Sequence, residues 1–303
     1  MTEAILSPRG PFHPDAEDAY RRWRDAKLDG YPTRVEDLIV SLRDPAAPTD
    51  AERSEILKRC RKANMAAYAG DRRFELDKVG MRALGRSCGL FRLDSNMLAD
   101  DDGITPLAVA SGEGKRDAVR THYIPYTDKP IAWHTDGYYN PPERTVRGLM
   151  LHCVRPAGEG GFNDLLDHEI AYILLREASV DHVAALMRPD AMTIPANAEE
   201  GYPSRGDSVG PVFRVDPSDG SLLMRYTFRV RSIRWSDHPA VQAAAARLRE
   251  ILTAEGPYFF RHRLEPGQGL ICNNVLHTRT SFTDDPQHPR LLYRARYYDR
   301  VTG

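Results

Sequence analysis

Trp133-His134-Thr135-Asp136-Gly137 is the stretch on which the reading of this chain turns. On an extended segment side chains alternate with period two, so His134 and Asp136 point to one face. A distant histidine, His277 in Leu276-His277-Thr278-Arg279, can complete a three-ligand face on one metal. Two imidazoles and a carboxylate leave coordination positions open on such an ion. The pair alone carries little weight, because any surface strand with a polar face can show His-x-Asp. Its setting adds to it. The turn Tyr126–Pro130 precedes it and the loop Gly137-Tyr138-Tyr139-Asn140-Pro141-Pro142 follows, which places it at a strand end, where sites are built.

Outward from that motif, short strand patterns separated by Gly, Pro, Asp and Ser clusters fill the chain from about Gly89. They are Leu90–Leu93, Arg120–Ile124, Arg147–Val154, Val212–Val215, Leu222–Thr227, Tyr258–Leu264, Leu270–Leu276 and Leu291–Tyr298. Two helices interrupt them, His168–Arg176 continuing through Met187, and the Ala-rich Pro239–Ala254. Many short strands without βα alternation point to a jelly roll or barrel rather than a doubly wound sheet. The first ninety residues read mainly as helix. Asp15–Leu28 carries a sparse apolar stripe. Thr49-Asp50-Ala51-Glu52 has capping-box spacing, and Ile56, Leu57, Cys60, Ala63, Ala67 and Tyr68 recur behind it at helical intervals.

The 303 residues, 41% of them hydrophobic, suffice for a packed core. A formal net charge of -1 gives no reason to expect nucleic acid or an anionic membrane as partner. Cys60, Cys88, Cys153 and Cys272 show no CxxC spacing, which favours reduced thiols over a disulfide framework. The segment MTEAILSPRGPF lacks a basic region followed by an apolar one, and no apolar run approaches roughly 18 residues. A cytoplasmic protein with a small-molecule substrate is expected, and self-association stays open.

Three more pieces follow WHTDG in order: Gly160-Gly161-Phe162-Asn163, then His277, then Arg290-Leu291-Leu292-Tyr293-Arg294. Over roughly Leu90 to Arg300 the combination resembles the taurine dioxygenase-like branch of the Fe(II)/2-oxoglutarate oxygenases. The N-terminal residues lack the Cys/His cluster of the zinc module carried by butyrobetaine hydroxylases of that branch. The resemblance implies that His134, Asp136 and His277 hold Fe(II), with 2-oxoglutarate and O2 as co-substrates. It puts Arg290 on a carboxylate of 2-oxoglutarate, a match of guanidinium fork to planar carboxylate. Asn163 falls where relatives place a Thr or Asn on the same co-substrate; a turn Asn after two glycines is the plain alternative. Arg294 keeps the spacing at which taurine dioxygenase holds its substrate's anionic group, and otherwise belongs to a polar barrel-mouth network. Asn96 falls at a substrate-facing position of the family, or else caps a turn. Arg225, Arg229, Arg231 and Arg234 read either as a solvated rim or as an anion-attracting wall.

The expected fold is therefore mainly β with flanking helices: a double-stranded β-helix (jelly roll) core over 89–303 and a mostly helical extension over 1–88, in one domain. The expected activity is hydroxylation of an unactivated C–H of a small, anionic metabolite with release of succinate and CO2. The same chemistry can give desaturation or cyclisation. Halogenating relatives replace the motif's carboxylate by a small residue, so Asp136 argues for hydroxylation. A non-catalytic jelly-roll binder is the alternative from another class, disfavoured because a binder has no need of Arg290 beside an intact triad.

Overall fold

A computed structural model describes residues 10–71, 76–94, 99–196, 205–229 and 232–302. Ten strands carry the architecture: β1 (Ile39–Leu42), β2 (Met65–Gly70), β3 (Thr105–Leu107), β4 (Ile131–His134), β5 (Gly148–Arg155), β6 (Asn163–Leu166), β7 (Phe260–His262), β8 (Gln268–Cys272), β9 (Leu276–Arg279) and β10 (Leu291–Tyr297). The helices are α1 (Glu17–Leu28), α2 (Asp50–Ala63), α3 (Lys78–Ser87), α4 (Gly114–Arg120), α5 (His168–Ala178), α6 (Val180–Leu186) and α7 (Pro239–Thr253).

The larger sheet has six strands in the order β1-β2-β8-β5-β10-β3, and the smaller has four in the order β7-β6-β9-β4. Both faces of the larger sheet are covered, as alternation along β5 records. Leu149, Leu151 and Cys153 turn toward the core that includes Leu165, Leu166 and Leu276 of the smaller sheet. Met150 turns the other way, joining Tyr68, Ile271, Ala295 and Tyr297 against Ile56, Leu57, Met81 and Leu84 of α2 and α3. Those helices thus pack on a sheet face rather than beside the sheet.

Several elements depart from the expectation. The helical run from Thr49 ends at Ala63, where Asn64 takes a left-handed conformation (φ 57), and Met65–Gly70 continues as β2. The apolar residues Ala66 and Tyr68 therefore follow strand alternation, and the apparent helical spacing to Ala67 and Tyr68 is a coincidence of two periods. Arg120–Ile124 is the end of α4 and a turn rather than a strand. Thr121 and His122 are exposed, and only the end of the segment, at Tyr123, packs against the core. Leu90–Leu93 contributes only a bridge from Leu93 to Tyr297. Leu270–Leu276 divides into β8 and β9, one in each sheet, around Asn274 with φ 50. Thr49 caps α2 through the expected capping box, and the two later helical patterns form α5 with α6, and α7.

A buried ion cluster fastens α1 to the head of α5. Lys27 Nζ lies 2.7 Å from Asp167 and 2.5 Å from Glu169, while Asn64 donates to Asp167 at 2.9 Å. Burial opposes the ammonium, and the two carboxylates outweigh it and raise the Lys27 pKa. Lys27→Met leaves two buried carboxylates without their cation. The expected loss is about 3–5 kcal/mol of stability, read as a lower urea midpoint.

Candidate metal centre

The smaller sheet builds the site through its neighbouring strands β4 and β9. His134 ends β4 and pairs directly with His277 of β9, whose other neighbour in register is Leu165. The imidazole centroids lie 4.1 Å apart. One ligand atom from each of His134, Asp136 and His277 falls within 4.8 Å of the others. His134 Nδ1 lies 3.0 Å from the Ala132 carbonyl and His277 Nδ1 2.9 Å from that of Val275. Because a carbonyl can only accept, each Nδ1 carries a proton, which leaves each Nε2 as the atom turned toward the site. Burial depresses the His277 pKa to about 4, so the ring is neutral at pH 7. His134 Nε2 faces Asp136 Oδ1 at 3.5 Å. The converging ligand atoms of His134, Asp136 and His277 suit a cation between them. The N2O donor set fits a divalent transition metal, Fe(II) included.

Asp136 is fixed by its backbone. Asn274, at the corner between β8 and β9, accepts from the Asp136 N–H at 2.8 Å and donates to the carbonyls of Asp136 and Val146 at 2.9 and 2.8 Å. The left-handed corner of one strand pair thereby holds the ligand loop of another. Gly137 follows with φ 68, and a Cβ there would come within 2.5 Å of Val146. Burial alone would raise the Asp136 carboxyl, but the Arg294 guanidinium, with Nη1 3.3 Å from Oδ2, holds it well below the usual carboxylate range.

The other expected residues separate into distinct environments. Arg290 is buried, its Nη1 has no hydrogen-bond partner, and its guanidinium stacks 4.9 Å from the Phe282 ring. It shares a cavity with Gly160, Gly161, Asn163, Arg263 and Leu264. Asn163 lines that cavity while its amide nitrogen donates to the Thr278 carbonyl at 2.7 Å, so one amide hydrogen is already engaged. Arg296 is matched by Asp94, with Nη1 donating to Tyr139 Oη at 2.9 Å. Asp94 in turn accepts from Tyr298 at 2.7 Å and Arg144 at 3.2 Å, tying the loop after Asp136 to the end of β10.

Asn96 and Arg231 lie outside the described residues. Arg225 makes no anion wall: its guanidinium is consumed by the carbonyls of Met192, Ser208, Gly210 and Pro211. Arg234 pairs with Asp207 at the surface, and Arg229 is exposed. Residues 258–264 read only as a strand; the position of Arg263 beside Arg290 depends on which strands pair, and no local pattern carries that. The importance of Asn274 has a trace in the sequence, an Asn-Asn pair between two apolar runs, which is turn chemistry.

Against this geometry the comparisons with known proteins are consistent. The family model "Taurine catabolism dioxygenase TauD, TfdA family" matches residues 76–296. The chain belongs to that family. A uridine-5'-phosphate dioxygenase from Streptomyces sp is 34% identical over 191 residues, covering 57% of this chain and 64% of the relative. Its counterpart from Amycolatopsis sp is 32% identical over 171 residues, covering 54% and 60%. The matched region thus spans just under two thirds of the length of these curated relatives. Among solved structures, asparagine oxygenase in complex with Fe(II), 2S,3S-3-hydroxyasparagine and succinate superposes with TM-score 0.57 at 18% identity, over 84% of this chain and 81% of the other. AAD-2 in complex with Mn(II) and N-oxalylglycine gives 0.58 at 14% identity, over 88% and 96%. At these identities the agreement concerns the fold: a mainly β core with helices. No helix among the described residues is long and apolar enough to cross a membrane.

Proposed function

We propose that this protein is an Fe(II)/2-oxoglutarate-dependent dioxygenase that hydroxylates an unactivated C–H of a small, phosphate-bearing metabolite. The observation that carries the reading is the His134, Asp136 and His277 cluster together with the buried Arg290, whose Nη1 has no hydrogen-bond partner. In this reading the three side chains hold the metal through His134 Nε2, His277 Nε2 and Asp136 Oδ1. Arg290, with Asn163, receives the distal carboxylate of 2-oxoglutarate. When bound, the metal supplies activation of O2 coupled to decarboxylation: substrate, 2-oxoglutarate and O2 become hydroxylated product, succinate and CO2. The protein orients the ligands, shields the site from water and presents the substrate C–H. The two facing sheets are read as a double-stranded β-helix, and residues 1–303 as one domain in which the N-terminal part belongs to the same core.

Arg294 is assigned to the substrate's anionic group. One of its nitrogens lies on Asp136, and its buried Nε has no partner. Arg296, already neutralised by Asp94, is not assigned to it. An anion there is favoured by the buried, unpartnered Nε of Arg294, and the phosphate class by the uridine-5'-phosphate relatives at 32–34% identity. Nucleoside 5'-monophosphates, uridine-5'-phosphate first, head a screen for substrate-stimulated succinate release with Fe(II), 2-oxoglutarate and O2. Arg294→Ala is expected to raise KM for the phosphorylated substrate at least about tenfold. A best substrate that is neutral or cationic overturns the assignment.

A further inference from the structure

The cavity beside Arg290 contains a second guanidinium that neither the family pattern quoted above nor the metal cluster requires. We propose that Arg263 is a second anchor for the distal carboxylate of the 2-oxo acid, sharing it with Arg290 and setting selectivity for a dicarboxylate; this rests on the reading of the site as a 2-oxoglutarate pocket.

Register places Arg263 there. Strand β7 runs antiparallel to β6 with His262 opposite Asn163, so Arg263 follows immediately, beside the Gly160-Gly161-Phe162 turn. That turn is tight: Gly160 has φ 73, and a Cβ on it would lie 2.3 Å from the Ser281 carbonyl. Arg263 Nη2 donates to the Ala157 carbonyl at 2.6 Å, which pins the head group in the cavity wall. Its buried Nε has no hydrogen-bond partner, as is true of Arg290 Nη1. The carboxylate nearest to Arg263, that of Glu265, lies 3.6 Å from Nε, beyond hydrogen-bond reach, and is 44% exposed. No acidic residue is among those lining the cavity.

Two guanidiniums line one small cavity: Asp284 offsets only part of what burial costs Arg290, and Arg263 has only the half-exposed Glu265 at 3.6 Å. An incoming carboxylate supplies what both still lack. It has two oxygens and about four lone-pair sites, enough for Arg290 on one oxygen and Arg263 on the other. A 2-oxo acid whose far end is a methyl group brings no charge to either. Arg263 is therefore a selectivity residue, acting at the end of the co-substrate remote from the metal.

The test is anaerobic titration of the Fe(II)-loaded full-length protein, followed by the visible charge-transfer band, with 2-oxoglutarate and separately with 2-oxopentanoate. Wild type, Arg263→Gln, Arg263→Lys and Arg290→Gln are compared. Arg263→Gln is expected to weaken 2-oxoglutarate at least about tenfold and to leave 2-oxopentanoate within twofold, so that discrimination between the two acids falls by the same factor. Arg263→Lys keeps the charge without the fork and is expected to lie between wild type and Gln, which also serves if the Gln variant fails to fold. Equal loss for both acids marks a structural role and overturns the proposal. An unchanged 2-oxoglutarate titration in both Arg263 variants, alongside a large loss in Arg290→Gln, overturns it while leaving the pocket reading in place. If Arg290→Gln is unchanged as well, the pocket reading itself falls.

Discussion

His134→Ala, Asp136→Ala and His277→Ala are each expected to remove tight binding of one Fe(II) per chain together with substrate-stimulated succinate release. The three donors come from positions 134, 136 and 277, which only the folded pairing of β4 with β9 brings together. Each variant leaves two protein ligands. The loss should exceed the roughly 10–100-fold that removal of a residue behind a ligand costs. Metal affinity has a reading independent of turnover. A ligand that binds only the folded chain stabilises it by about 2.7 kcal/mol at a hundred times its Kd. Wild type should therefore melt higher with Fe(II), anaerobically, and the variants should not. Asp136→Ala differs in one respect, because it strips Arg294 of its carboxylate; its metal-free form should be the least stable of the three. A variant that retains both the metal-dependent shift and full turnover refutes the assignment of that residue.

Arg290→Ala is expected to raise the 2-oxoglutarate requirement by a factor corresponding to about 2–5 kcal/mol, roughly thirtyfold to several thousandfold. Its metal-free stability should move the other way or not at all. A guanidinium that stabilised the fold would have a carboxylate or a set of carbonyls, as Arg225 and Arg279 do. Arg290 instead donates to no carbonyl or carboxylate from its side chain: its buried Nη1 is unpartnered, and Asp284 offsets only part of the cost of burial. Removing a buried charge of this kind relieves desolvation. The paired result, weaker co-substrate binding with undiminished melting temperature, distinguishes a ligand hook from a structural cation. A lower melting temperature with an unchanged 2-oxoglutarate titration would show the reverse.

The site was more legible in the sequence than the sheets that build it. His134 and Asp136 are two apart on an extended segment, so their common face follows from backbone geometry, and resemblance supplied His277 and Arg290. Strand order is another matter. The series from Arg147 to Tyr298 was readable as alternating apolar patterns, but β8 and β9 form one unbroken apolar run, Leu270 to Leu276, apart from the two asparagines. Only the left-handed Asn274 shows that the run changes sheets. Likewise β2 is apolar enough to extend the periodicity of α2, and the left-handed Asn64 that separates them looks like an ordinary helical polar residue. Arg294 was read without its partner, because Asp136 is 158 positions away and ion pairs across sheets leave no local mark. What escapes in each case is a single-residue conformation or a contact set by topology.

The position of β2 bears on where this chain can be cut. The family match begins at residue 76, and a fragment begun there, or at the change of period near residue 89, looks like a tidy unit. It is not one. In the six-stranded sheet β2 covers one side of β8 from Gln268 to Cys272, and β8 leads directly through Asn274 to His277. Without the N-terminal segment, a five-residue apolar strand next to the candidate metal centre becomes an open edge. Such an edge is a template for pairing with other chains. Loss of these residues would therefore present as aggregation, and in an assay as a protein that has lost its metal, although every proposed ligand is still encoded.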